Sequence, residues 1–341
     1  MFDITKIVRP NILNLEPYSS ARDEFEGSEG IFMDANENPF GDLNRYPDPL
    51  QKAVKQKLSD VKGIPVENIF LGNGSDEIID LCFRVFCEPA KDKALTFVPT
   101  YGMYEVSATI NNVELEKIPL NEKFQINTED ITLNLLDPLV KVIFICSPNN
   151  PTGNCIKAVE FIIKNFGGIV VVDEAYIDFA DAESLSKKLD IYPNLIVLQT
   201  LSKAWGLAAA RVGIAFAGTA VIKYLNKVKP PYNISTLNQS AALYALQETS
   251  KFELQRNIIL QEKSKLLAEL ESLDFVIKIY PSDTNFFLIV VKDADAIYNK
   301  LISSKIIIRN RNKIVKNCLR ITIGTPAENE ALLAELKNIT L

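Results

Sequence analysis

Between residue 31 and about residue 235 the chain alternates short, almost wholly apolar runs with longer stretches whose apolar residues recur at helical spacing. The runs are Asn68 to Gly72, Ala94 to Val98, Val142 to Cys146, Ile169 to Val172, Leu195 to Leu198 and Val212 to Phe216. Such runs, bounded by Gly, Pro, Ser or Asp, suit strands buried on both faces, and helices between them suit crossovers, so the pattern predicts an α/β unit with a largely parallel sheet. The helix-breaking Lys229-Pro230-Pro231-Tyr232-Asn233 precedes a predicted helix over Leu237 to Gln247. A long amphipathic pattern follows through Phe252, Ile258, Ile259, Leu266, Leu267, Leu270 and Leu273. Strands are then predicted at Val276 to Tyr280, Phe286 to Val291, near Ile306 to Ile308 and at Leu319 to Ile323, with helices at Ala294 to Ile302 and Ala327 to Lys337. Residues 1–30, with Pro10, Pro17 and Gly27, show neither period and are expected to form an arm lying on another part of the protein. The expected division is an arm at 1–30, a large α/β domain at 31–248 and a small α+β domain at 249–341.

A length of 341 residues agrees with a prior of about two domains. Hydrophobic residues make up 47% and charged residues 23%, the balance of a folded globular chain and not of a disordered or fibrous one. A formal net charge of −6 argues against a broad basic face for nucleic acid, so any anion is expected at a local site. The chain has no histidine, which removes Ser-His-Asp and Cys-His nucleophiles and HExxH zinc sites. Proton transfer then falls to Lys, Tyr, Cys, Asp or Glu. Cys82, Cys87, Cys146, Cys155 and Cys318 include no CxxC pair and are expected to be reduced, mostly core residues, with no metal site. No basic-then-apolar leader opens the chain and no stretch of about 18 apolar residues occurs, so a soluble, cytoplasmic protein without a membrane partner is expected. The absence of a Gly-Lys pair excludes a Walker loop.

Candidate chemistry gathers where predicted strands end. Leu71-Gly72-Asn73-Gly74-Ser75-Asp76-Glu77 leads from a strand through a glycine turn into a helix, whose free N–H groups can hold an anion. Glu77 stands where a dinucleotide fingerprint has its third glycine, and an ordinary strand-to-helix turn also accounts for the stretch. Ser147-Pro148-Asn149-Asn150-Pro151-Thr152-Gly153 sets side-chain amides at the carboxyl edge of the sheet, or is simply a turn. Ile169 to Val172 ends in Asp173-Glu174-Ala175-Tyr176, placing a carboxylate at the same edge as a cap or as a chemical group. Leu195 to Leu198 leads into Thr200-Leu201-Ser202-Lys203-Ala204-Trp205-Gly206, with Arg211 eight residues beyond Lys203.

Asn-Pro-Thr-Gly, Asp-x-x-Tyr and Ser-Lys followed by Arg, in that order, resemble the fold type I pyridoxal-phosphate-dependent aminotransferases, and the resemblance covers essentially the whole chain. The segments Leu15-Glu16-Pro17-Tyr18-Ser19-Ser20-Ala21-Arg22, Asn36-Glu37-Asn38-Pro39, Arg45-Tyr46-Pro47, Pro99-Thr100-Tyr101-Gly102-Met103-Tyr104 and Leu319-Arg320-Ile321-Thr322-Ile323-Gly324-Thr325 look like the histidinol-phosphate branch. The resemblance implies a fold type I α/β transferase, with a mostly parallel central sheet in the large domain and a smaller α+β C-terminal domain. It implies that Lys203 bonds pyridoxal phosphate covalently and then shuttles the proton, a task suited to an amine whose pKa cationic neighbours lower. Asp173 would pair with the protonated pyridine nitrogen, Tyr176 and Asn150 would hydrogen-bond the ring oxygen, and Tyr101 would stack on the ring. Thr200, Ser202, Arg211 and the Gly74-Ser75-Asp76 turn would hold the cofactor phosphate.

By the same resemblance Arg320, aided by Arg309 and Tyr18, would bind the substrate carboxylate or phosphate, with Asn36 and Asn285 near that pocket. Tyr46 would reach the cofactor phosphate from the neighbouring subunit, so the active site would be shared across a homodimer. The implied reaction moves an amino group reversibly between glutamate and imidazole-acetol phosphate, giving histidinol phosphate and 2-oxoglutarate in histidine biosynthesis. The alternatives are an aromatic aminotransferase or a threonine-phosphate decarboxylase on the same fold, or a binding protein that kept the fold without catalysis. Leu207-Ala208-Ala209-Ala210 departs from the family, which commonly has a glycine in this stretch, and the added methyl is expected to crowd the cofactor loop slightly. Glu24 and Glu26 of the arm are expected to be solvated.

Overall fold

The protein is described from a computed structural model covering residues 2–18, 30–129 and 131–339; Ser19 to Arg22 of the branch motif, Glu24 and Glu26 lie outside the described residues. The apolar runs form strands β1 (Ile69–Asn73), β2 (Lys93–Val98), β4 (Val140–Cys146), β5 (Ile169–Asp173), β6 (Leu195–Thr200) and β7 (Val212–Ala217), joined by β3 (Glu114–Pro119). They make a 7-stranded sheet in the order β1-β7-β6-β5-β4-β2-β3. The pairs from β3 to β6 are parallel, whereas β7 runs antiparallel to both β6 and β1. Period-two alternation explains why the central runs are apolar throughout. Val170, Val172, Leu195 and Val197 enter the core on one face, while Ile169, Val171, Ile196 and Leu198 enter the core on the other.

In the larger unit, two local features differ from the sequence expectation. The apolar pattern does not predict β3, because this edge strand is half exposed and tolerates charge; its Glu116 pairs with Lys93 of β2 at 2.7 Å. The beginning of the arm is not irregular: a 3-10 turn at Ile4–Lys6 and a short helix at Pro10–Leu13 bury Ile4, Val8 and Ile12 against the large core. Their four-residue spacing is a helical stripe too short to stand out beside the proline.

The smaller unit has an antiparallel sheet of β8 (Val276–Ile279), β9 (Phe286–Val291), β10 (Arg309–Asn310) and β11 (Cys318–Thr322), in the order β10-β11-β9-β8. Helices Thr249–Glu271, Ala294–Ser303 and Pro326–Lys337 accompany it, and its core includes Leu266, Phe287, Ile289, Leu301, Ile321 and Leu336. The strand expected near Ile306 to Ile308 begins later: Ile306 and Ile308 pack on the small core without ladder pairing, and Arg309 and Asn310 meet Arg320 and Leu319.

The two sheets are joined at the Asn-Pro-Thr-Gly turn. Asp283 donates its N–H to the Gly153 carbonyl at 2.7 Å and accepts from Cys155 N–H at 2.9 Å. Gly153 has φ +88°, and a Cβ there would lie 2.8 Å from Ser282 Oγ, so the close approach requires glycine.

Candidate active site

A cavity of about 290 Å³ opens where β4, β5 and β6 end, the edge at which α/β sheets bind ligands. Asp173 closes β5 and is 3% exposed. Its Oδ2 accepts from the Tyr104 hydroxyl at 2.9 Å and its Oδ1 accepts from Ala175 N–H at 3.1 Å. Burial pushes the Asp173 carboxyl above its ordinary pKa, opposed by those two hydrogen bonds. Among the described residues no cation forms an ion pair with Asp173, and a buried carboxylate in that setting suits a ligand bringing its own positive charge.

Lys203, in the turn after β6, faces the cavity with Nζ 5.6 Å from the centre of the Tyr176 ring. Loss of solvent, and then the Arg320 charge, push the lysine below its ordinary pKa and favour the neutral amine needed for nucleophilic chemistry. Burial pushes the Tyr176 phenol upward, so it stays protonated at neutral pH. Asn150 connects both sides of the cavity: its Nδ2 donates to Tyr176 Oη at 3.4 Å and its Oδ1 accepts from Arg320 Nη1 at 2.5 Å.

An anion cradle lies at the start of the helix Ser75–Phe86, whose first N–H groups have no partner within the helix. Arg211 reaches this turn from a left-handed backbone conformation, φ 52°, strain that costs about 1–2 kcal/mol. The Arg211 carbonyl accepts from Gly74 N–H at 2.8 Å, and its guanidinium lies 3.4 Å from Asp76 Oδ2. Gly74 has φ +76°, and a Cβ there would lie 2.4 Å from Arg211 Nη2. Thr200 Oγ1 accepts from Ser202 N–H at 3.1 Å, and Tyr101 donates its hydroxyl hydrogen to Asp76 Oδ1 at 2.9 Å. A helix start, a guanidinium and two hydroxyl groups form a site suited to a phosphate.

The small sheet supplies the outer wall. Arg309 of β10 stands directly across from Arg320 of β11, and both line the cavity with Arg311. The expected residues Ser75, Asp76, Tyr101, Asn150, Asp173, Tyr176, Thr200, Ser202, Lys203, Arg211, Arg309 and Arg320 are thus gathered in one place, with Gly74 in contact behind them.

Tyr18, Asn36, Tyr46 and Asn285 are not among the lining residues. Tyr18 is 72% exposed; Asn36 and Tyr46 line a separate surface hollow, where Tyr46 stacks on Tyr232 at 4.4 Å. Asn285 accepts through its carbonyl from Ile323 N–H at 2.9 Å. Arg311 and Cys146 line the cavity without an expected role, and Tyr104, present in the Pro99–Tyr104 segment, gains its role only through its hydroxyl on Asp173. Arg311 carries the one available signal, its i, i+2 spacing from Arg309, which puts both on one face of an extended segment. The alanine stretch forms a 3-10 turn, Ala208–Ala210, in which Ala208 and Ala209 are exposed and Ala210 is buried. Among the described residues no helix is long and apolar enough to cross a membrane, and no cluster of three or more Cys, Asp or Glu is placed to hold a metal ion.

The family profile for aminotransferase class I and II matches residues 27–336. A histidinol-phosphate aminotransferase of Parabacteroides distasonis is 52% identical over 346 residues, covering 100% of both chains. The crystal structure of a histidinol-phosphate aminotransferase from Clostridium acetobutylicum is similar with a TM-score of 0.79 at 24% identity, covering 87% of this chain and 90% of that one. That from Sinorhizobium meliloti, crystallised with pyridoxal-5′-phosphate, has a TM-score of 0.77 at 23% identity, covering 90% of each chain. At such identities the structural likeness is one of fold, that of the type I aminotransferases, whereas the profile and the full-length relative carry the assignment. This chain belongs to the class I and II aminotransferases and, within them, to the histidinol-phosphate aminotransferases.

Proposed function

We propose that this protein transfers an amino group reversibly between L-glutamate and imidazole-acetol phosphate, giving L-histidinol phosphate and 2-oxoglutarate in histidine biosynthesis. We further propose that it uses pyridoxal phosphate and works as a cytoplasmic homodimer with a shared active site. The observation that carries this is the meeting of Lys203, buried Asp173 and the arginine wall in one cavity of a chain 52% identical over its length to a histidinol-phosphate aminotransferase.

The residues present fit the cofactor. The helix start, Arg211, Ser202 and Thr200 suit its phosphate, while Asp173 is a buried anion suited to its protonated ring nitrogen. Lys203 is the amine that would bond it covalently. Pyridoxal phosphate, when bound, supplies an electron sink for the charge left as a proton departs from the substrate carbon.

Lys203, as a free amine, would hold and move the proton of the substrate Cα, a task its lowered pKa favours. Tyr176 and Asn150 would orient the ring oxygen and Tyr101 would cover the ring, while Arg320 and Arg309 would bind the anionic end of the substrate. Tyr18, Asn36 and Asn285 would complete the substrate side, and Tyr46 of the partner subunit would reach the cofactor phosphate.

The deciding experiment mixes the purified yellow protein with histidinol phosphate in the absence of keto acid and follows absorbance. The cofactor band is expected to bleach and to return on addition of 2-oxoglutarate. A band that ignores histidinol phosphate but responds to phenylalanine or threonine phosphate moves the substrate assignment to another enzyme of this fold.

A further inference from the structure

We infer that Arg311 binds the substrate anion directly, and that with Arg309 and Arg320 it makes the outer pocket select a phosphate monoester dianion over a carboxylate. The inference rests on the cavity being the substrate site proposed above.

Arg309 and Arg320 are cross-strand partners, and like charges directly opposite each other destabilise a sheet unless something compensates them. The ladder continues one step further, with Arg311 N–H donating to the Cys318 carbonyl at 2.9 Å, so Arg311 shares the cavity face of Arg309. The Nε atoms of Arg311 and Arg320 are buried without a hydrogen-bond partner among the described residues. None of the three guanidiniums pairs with a carboxylate among those residues, whereas Arg211 in the same cavity faces Asp76 at 3.4 Å. Burial, and then Arg320 and Arg309, push the Arg311 pKa down to about 10, which still leaves it charged at neutral pH.

Three convergent cations with unused donors exceed what a carboxylate needs, since one guanidinium fork satisfies its two oxygens and its single charge. A phosphate monoester brings about 1.5 to 2 negative charges and three acceptor oxygens. Asn150 already occupies one Arg320 donor, which leaves Arg311 and Arg309 to complete the shell around such a group.

The test compares Arg311→Gln and Arg311→Lys with the parent holoenzyme in separate half-reactions with histidinol phosphate and with glutamate. It also measures competitive inhibition by inorganic phosphate and the affinity for pyridoxal phosphate by absorbance titration. For Arg311→Gln, the ratio of kcat/KM for histidinol phosphate to that for glutamate is expected to fall about ten- to a hundredfold, the effect of losing a charge-assisted partner. Phosphate inhibition weakens in parallel, cofactor affinity holds, and Arg311→Lys falls between because it keeps charge without the fork. Equal losses for both substrates, no loss for either, or weakened cofactor binding overturns the inference. Should Arg311→Gln not fold, Arg311→Lys decides by the same ratio. If the parent enzyme converts glutamate but not histidinol phosphate, the functional proposal fails instead, and unchanged phosphate inhibition in the variants then rejects Arg311 separately.

Discussion

At the sheet end of the cavity, charges of both signs are interleaved: Asp76 lies 3.4 Å from Arg211, and buried Asp173 shares the space with Lys203. At the end built by the small sheet, Arg309, Arg311 and Arg320 converge with no carboxylate partner among the described residues. The first arrangement suits a group that stays, because fixed charges of both signs surround it, Asp76 set against Arg211 and Asp173 held by hydrogen bonds from Tyr104 and Ala175. The second suits a group that comes and goes, because the compensating charge is left for the ligand to bring. Desolvation makes the contrast matter: an unpaired ion is costly in a partly buried site, so the unpaired set marks where binding energy is available.

Substitutions at the two ends should therefore fail differently. Lys203→Ala is expected to lower turnover by about a thousandfold or more in a steady-state transamination assay, while an absorbance or dialysis titration still detects cofactor held through its phosphate. Asp173→Asn removes the buried charge but keeps the shape, and should lower kcat on the order of a hundredfold with smaller changes in KM. At the other end, Arg320→Gln should reduce kcat/KM for both substrates by about ten- to a hundredfold, because this arginine also holds the Asn150 amide at 2.5 Å. If Arg320→Gln instead lowers kcat with unchanged KM, the separation between the two ends is wrong.

Two smaller effects sharpen the account of the inner end. Tyr104→Phe leaves Asp173 Oδ2 without its hydroxyl donor and should cost about 1–3 kcal/mol in urea denaturation. Because that hydrogen bond lowers the Asp173 pKa, its loss should also move the acid limb of the activity profile to higher pH. Beside it, burial pushes Glu174 from 4.5 up to about 7, against hydrogen bonds from Ser184, Leu185 and Gln199. The folded state then holds a proton that the unfolded state has released, so this group's contribution to stability is present below about 4.5 and is lost as pH rises through about 7. Thermal melts across that interval should show a shallower decline for Glu174→Gln than for the parent.

The local pattern was most legible where burial was complete. β5 and β6 are recognisable because every residue of Ile169–Asp173 and Leu195–Thr200 is buried, leaving no alternation to confuse the signal. β3 was hidden by its position, since an edge strand carrying Glu114, Glu116 and Lys117 looks like a solvated loop. In the cavity, residues directly following strands are legible by motif, whereas Arg311 belongs to no motif; the role of Tyr104 is hidden because its partner Asp173 lies 69 positions away. Asn36 and Tyr46 were legible only as resemblances; within this chain they line a separate surface hollow.

The succession of strands and helices follows from local pattern alone, because apolar runs of strand length bounded by turn residues have few other places to go than between two covering layers. The sequence also sets the available chemistry, because a chain without histidine leaves lysine, tyrosine and carboxylates to move protons. Which charges are paired is settled by long-range packing. The pairing of Asp76 with Arg211, the hydroxyl on Asp173 and the facing of Arg309 with Arg320 depend on strand order, on register and on how the small sheet docks at the Gly153 turn. Those are long-range choices, and a one-residue slip between β10 and β11 would turn one arginine set away from the other without changing any local propensity.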